Sequence, residues 1–182
     1  QFARLGVTKA DGSVVWRAYS MVSAPHDEHL DFFSIVVPGG EFTSELSRLK
    51  VGDTLMVERQ AYGYLTLDSF IDGRDLWLLA TGTGVAHFLS ILQDFEVWEK
   101  FERIVLVYSA REVRELAYQD LIADLTQREY LAEYAHKLTY IPIVTREEVP
   151  GTLNGRITTL IESGELERAA GVELSPEHSR VM

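Results

Sequence analysis

Three arginines stand where a buried β-strand would hand over to a loop or helix. Arg111 closes "VLVYSAR", Arg146 closes "YIPIVTR", and Arg156 opens the helix that follows "NGR". A guanidinium presents its donors as a planar fork that matches phosphate oxygens. Upstream, "LWLLATGTGVAHFLSIL" runs an apolar strand into Thr81, Gly82, Thr83 and Gly84 and then into a helix. Glycines there let the backbone approach a phosphate, and helix N–H groups point at its charge. The spacing is neither G-x-G-x-x-G nor a P-loop, and glycine turns also join strands to helices for geometric reasons alone. Beyond the carboxyl ends of strands, repeated arginines suit the 2′-phosphate of NADP, whereas NAD calls for an acidic residue at the ribose. The competing use of Arg111 and Arg146 is to cap loops and pair with Glu112, Glu147 or Glu148.

A second constellation lies earlier, in "RAYS", Arg17 to Ser20. On an extended chain Arg17 and Tyr19 share one face and Ser20 takes the other. Arg17 offers a bidentate phosphate contact and Tyr19 a flat amphipathic face. "PGGEFTSEL" then places two glycines and Thr43-Ser44 at the start of a short helix. Thr43 serves there either as a plain N-cap or as a donor to a phosphate at the helix N-terminus. Other chemistries lack their residues. The five histidines show no HExxH or paired-ligand spacing, and no G-x-S-x-G elbow is present. The chain has no cysteine, which excludes disulfides, thiolate metal sites and a cysteine nucleophile within these residues.

The elements that position these groups fall into two textures. Up to residue 73, "SVVWRAYSMVS", "LDFFSIVV", "TLMVERQ" and "YGYLTLD" are short β-rich runs separated by turn signals, with one helix expected over Thr43–Leu49. This pattern predicts a compact antiparallel barrel. From residue 74 onward, buried strands alternate with helical stretches: "LWLLATG", "VAHFLSILQDFEVW", "IVLVYSA", "EVRELAYQDLIADLTQREYLAEYAHK", "TYIPIVT" and "GRITTLIESGEL". That alternation predicts βαβ units and a parallel sheet. Two domains are expected, residues 1–73 and 74–182, with strand texture at both ends implying a chain incomplete at each. The net charge of −11 is shared by both halves and no basic stripe suggests nucleic acid. No apolar run reaches membrane length and no secretion signal opens the chain, so a cytoplasmic protein is expected.

Together "RAYS", "PGGEFTSEL", "ATGTGVAHF", "YSAR", "TRE" and "NGRI" resemble, in order, the motifs of the bacterial ferredoxin–NADP reductase family. The resemblance implies an FAD-binding β-barrel followed by an NADP-binding α/β domain. It implies an enzyme that moves hydride between NADPH and flavin and passes single electrons to ferredoxin or flavodoxin, working as a monomer. Within it, Arg17 would contact the FAD pyrophosphate, Tyr19 would pack on the isoalloxazine, and Ser20 would sit by the nitrogen that takes up hydride. Ala18, Phe33, Ser34, Ile35, Val36, Val37, Gly40 and Phe42 would line the flavin, with Thr43 and Ser44 on its phosphates. Thr81, Gly82, Thr83 and Gly84 would hold NADP, with Arg111, Arg146 and Arg156 near its 2′-phosphate. One departure is His87, where the family usually carries proline. Related expectations are a reductase serving an oxygenase, cytochrome or free flavin and, from another class, a non-catalytic interaction module.

Overall fold

The computed structural model describes residues 1–182. Its first half is an antiparallel sheet of three strands, β1 (Phe2–Thr8), β2 (Val14–Ser20) and β3 (Met56–Val57), in the order β2-β1-β3. The β1–β2 turn closes because Gly12 takes φ +82° and Asp11 accepts the Ser13 N–H at 2.9 Å. Alternation then buries Leu5, Val7 and Val15 against Phe42 of helix α1 (Glu41–Leu46).

The other β-rich runs pair far less than their composition predicts. "LDFFSIVV" contributes one bridge, Met21–Phe32, and "YGYLTLD" one, Phe2–Tyr62. Extended residues need a laddering partner as well as β-propensity, and here they wrap the sheet as irregular segments. The expected helix at Thr43–Leu49 begins two residues earlier and ends at Leu46, since Gly40 supplies its N-cap position.

The second half is a parallel sheet of β4 (Asp75–Thr81), β5 (Arg103–Ala110), β6 (Leu138–Val144), β7 (Leu153–Asn154) and β8 (Ser179–Val181). The order is β7-β6-β5-β4-β8, so the chain steps outward from β4 on one side and returns to its other side. Leu76, Leu78 and Ala80 face helices α2 (Val85–Leu92), α3 (Phe95–Lys100) and α4 (Gln119–Leu125). Trp77, Val105 and Val107 face α5 (Ile157–Glu162) and α6 (Glu165–Ala170) on the opposite side. Burial on both faces explains why these strands read as continuous apolar runs.

Two helical expectations are subdivided. "VAHFLSILQDFEVW" breaks after Gln93, where the Asp94 carboxylate caps α3 by accepting the Glu96 N–H. The long stretch after Arg111 contains only α4 as an α-helix, flanked by 3₁₀ turns, because Tyr118 takes φ 61° and interrupts it.

The halves share one core. Val22 and Leu67 of the first half belong to the same buried cluster as β4, β5, α2 and α3, and Phe33 and Phe70 pack on it. At the junction, Arg74 forks the fully buried Asp75 carboxylate at 2.7 Å. Arg180 of β8 pairs with Asp72, and its stem fills the space where a side chain at Gly73 would stand.

Candidate functional site

The order of strand addition reverses at β4, and a crevice lies beyond the carboxyl ends of β4, β5 and β6, the usual ligand position in such sheets. A cavity of about 580 Å³ occupies it, bounded by Thr81 at the end of β4 with Gly82 and Thr83 after it, by Ser109 to Arg111 at the end of β5, and by Thr145 after β6. Gly82 adopts φ +54°, and a Cβ at Gly82 or Gly84 would project into open space. The turn is therefore not drawn tight by packing; its glycines leave backbone bare toward the cavity.

Arg111 lines this cavity, and its partner is none of the three glutamates proposed from sequence. It forks Glu115, with Nε donating to Oε2 at 3.1 Å and Nη2 to Oε1 at 2.5 Å. The bond from Arg111 holds the Glu115 carboxyl below its usual range, and the same bond holds the guanidinium proton more tightly. Arg146 lies alongside, its backbone N–H donating to the Arg111 carbonyl at 2.9 Å, and its exposed side chain makes no ion pair. Arg156 occupies the N-cap position of α5, also exposed. Neither Arg146 nor Arg156 reaches the cavity lining, whereas Arg114, Glu115, Ser109 and Thr145 do. These four escaped the sequence reading. The spacing of "AREVRE" carried a usable signal, since Arg114 and Glu115 follow Arg111 by three and four residues.

A second cavity, about 370 Å³, gathers Arg17, Ala18, Tyr19, Gly40, Phe42 and Thr43. Arg17 donates to the Trp16 carbonyl at 2.8 Å and stands 3.9 Å from Glu41, which also binds Lys9 at 2.8 Å. The Tyr19 ring tilts on Phe42 with centroids 5.4 Å apart, and its hydroxyl accepts from Ser34 at 3.2 Å. Thr43 is the third residue of α1 and not its N-cap. Its hydroxyl accepts the Val37 N–H at 3.1 Å and donates to the Val37 carbonyl, locking the preceding loop onto the helix. Ser44 is half-buried, with its N–H on the Gly40 carbonyl at 3.0 Å. Ser20, half-buried at the end of β2, lines neither cavity. Arg17, Ala18 and Tyr19 share one cavity despite pointing alternately because β2 is an edge strand. A ring lying along that open edge meets side chains from both faces.

The segment Phe33–Val37 joins the two cavities. Phe33, Ile35 and Val36 border the first, and Val37 borders the second. Ile35, Val36 and Val37 are 55%, 63% and 49% exposed, an uncovered aliphatic wall between two arginine-bearing hollows. These residues fit two nucleotide cofactors. The wall and Tyr19 suit a flavin ring, Arg17 its phosphates, and the bare glycine turn with Arg111 and Arg114 a phosphorylated dinucleotide.

His87, third residue of α2, packs on Phe88 with centroids 3.9 Å apart and buries Nε2 without a partner. Burial pushes its pKa down to about 4, so the ring is neutral at neutral pH. Proline is admissible in this first helical turn, so His87 leaves the turn's backbone intact.

Comparison with known proteins agrees with this fold. The oxidoreductase FAD-binding domain family matches residues 1–61, and the oxidoreductase NAD-binding domain family matches residues 78–174. A ferredoxin–NADP reductase of Azotobacter vinelandii is 45% identical over all of this chain, which covers 70% of that protein. A flavodoxin/ferredoxin–NADP reductase of Escherichia coli K12 is 41% identical, with 71% of its length covered. A crystal structure of a ferredoxin NADP+ reductase from Neisseria gonorrhoeae with bound FAD and NADP superposes at a TM-score of 0.90 and 34% identity, covering all of this chain and 71% of that one.

Proposed function

The chain belongs to the ferredoxin–NADP reductase family, and we propose that its two cavities hold FAD and NADPH on either side of the Phe33–Val37 wall. It is an oxidoreductase that carries electrons between NADPH and ferredoxin or flavodoxin. When bound, FAD supplies the exchange of hydride with NADPH and the passage of single electrons to the carrier protein.

The protein's own residues bind and orient. Arg17, at the open edge of β2, is placed to neutralise a pyrophosphate, and Tyr19 is braced by Phe42 and Ser34 to present a fixed ring face. Thr43 holds the loop that carries Val37, and with Ser44 it would lie at the FAD phosphates. Ser20 follows Tyr19 at the strand end, where its hydroxyl would border the reacting edge of the ring. The 81–84 turn receives the nicotinamide nucleotide on bare backbone. Arg111 meets the 2′-phosphate, with Arg114, Arg146 and Arg156 adding positive charge around it. Glu115 keeps the Arg111 fork in one orientation until a phosphate competes for it.

The observation that carries this reading is the sharing of one apolar segment by both cavities, which would let two bound planar rings approach each other. Purified full-length protein should be yellow, bleach on anaerobic addition of NADPH, and recolour on titration with oxidised ferredoxin or flavodoxin. A colourless protein that takes up neither FAD nor NADPH in calorimetry would overturn it. The expected monomer in the cytoplasm belongs to the same proposal and is tested by sedimentation and cell fractionation.

A further inference from the structure

The glycine turn and the flavin cradle are connected by a short rigid path through α2. The turn at residues 82–84 leads directly into α2, a helix about 12 Å long. At its far end two side chains on one face reach across to the first half. Ser90 Oγ donates to the Ser23 carbonyl at 2.7 Å, and Gln93 Nε2 donates to the Val22 carbonyl at 2.8 Å. Val22 and Ser23 lie two and three residues beyond Ser20. Gln93 is 7% exposed and Val22 is 1% exposed, so this bond is sealed from water.

Gln93 is also held from behind. Its Oε1 accepts from Arg128 Nη2 at 3.4 Å, and Arg128 is itself fixed by Asp124 at 2.9 Å and the Tyr130 hydroxyl at 3.0 Å. The amide thus has one orientation, with its carbonyl toward a cation and its NH₂ toward a carbonyl; the reverse would set like against like. A buried amide fixed at both ends specifies geometry more than it adds net stability.

We propose that Gln93, seconded by Ser90, is a positioning residue that sets the gap between the flavin cradle and the nucleotide turn. Neither touches a cofactor; both act by tying the strand that ends in Ser20 to the helix that begins at the turn. This inference rests on the assignment of FAD and NADPH to the two cavities. Its force comes from the steepness of transfer with distance, since a shift of about 1 Å can cost about 100-fold in rate.

The test uses FAD-loaded full-length protein. Gln93→Leu keeps the volume and deletes the donor, leaving the Val22 carbonyl buried and unpaired. The limiting rate of flavin reduction at saturating NADPH should fall about tenfold or more. Affinity for 2′,5′-ADP should stay within twofold and FAD should be retained. Deuterium exchange of residues 21–31 should quicken while β4 and β5 stay protected. Ser90→Ala should lose a few-fold in rate and Ser90→Thr should restore it, and this pair decides the matter if Gln93→Leu does not fold. An unchanged limiting rate, or a fall in rate matched by a fall in 2′,5′-ADP affinity, overturns the proposal. Should the unsubstituted protein fail to be reduced by NADPH, the functional reading falls instead. Exchange at residues 21–31 then still decides whether the clamp exists: faster in Gln93→Leu supports it, unchanged refutes it.

Discussion

The two halves of this molecule are held together by different means. The parallel half is sandwiched by helices, and its strands feed two clusters of 22 and 8 buried residues. The antiparallel half owns a cluster of four, Leu5, Val7, Val15 and Phe42, and leaves three consecutive aliphatic residues largely in water. Each fully buried aliphatic side chain contributes about 1.5–3 kcal/mol, so the thick half can order itself and the thin half borrows order from it. The loan is visible in Val22 and Leu67, which are chemically part of the thin half and physically part of the thick half's core. A scaffold on one side and an adaptable surface on the other suits a site in which one cofactor stays bound and the other exchanges.

The strongest challenge to that asymmetry is Leu106→Ala, in the centre of the larger core. It should cost about 3–4 kcal/mol in urea unfolding. Because Val22 and Leu67 share that core, both halves should melt in one transition at a lower midpoint. Two separated transitions would show instead that the thin half stands alone.

Arg111→Ala sharpens the contrast chemically. Loss of one charge-assisted fork should weaken NADPH binding by about 1.5 kcal/mol, roughly tenfold, while NADH binding and FAD content hold steady. An equal loss for NADH and NADPH would mean that Arg111 does not read the 2′-phosphate.

The smallest effect lies at His87. With the folded pKa at about 4 against an ordinary 6.5, the unfolded chain takes up a proton that the folded one refuses. The stability so conferred is complete above pH 6.5 and is lost as pH falls toward 4. Screening at a partly exposed ring limits the loss to about 1 kcal/mol. Urea midpoints across that range should slope for the natural chain and flatten in His87→Gln; equal slopes would assign the acid sensitivity elsewhere.

The thick half was the more legible of the two. Strands buried on both faces announce themselves as "LWLLA" and "IVLVYSA", and strand ends locate Thr81, Arg111 and Arg146 within two residues. The family resemblance of the short motifs was equally plain, and relatives at 41–45% identity agree with it. Local pattern could not supply choices made in space. Glu115 captures Arg111 because a 3₁₀ turn brings its carboxylate back, in preference to the adjacent Glu112. Helical spacing over residues 112–137 is satisfied by separate turns folded over Leu125 and Leu131 as well as by one rod. In the thin half, "FFSIVV" has the composition of a strand, yet only Phe32 bridges a neighbour, and Ile35 to Val37 stay unpaired and exposed. Thr43, a natural cap by type, was claimed by Val37 instead.

The junction carries a consequence for how the chain comes into being. Asp72 and Gly73 are secured by Arg180, 108 residues further along. Closing so long a loop is entropically costly and slow, and a chain made from its N-terminus can close it only after β8 has emerged. The shared core around Val22 and Leu67 and the Ser90 and Gln93 contacts use residues that precede β8, so the two halves can already touch when it arrives. Synthesis therefore adds this brace at the junction only when Ser179–Val181 docks beside β4 and Arg180 reaches back to Asp72.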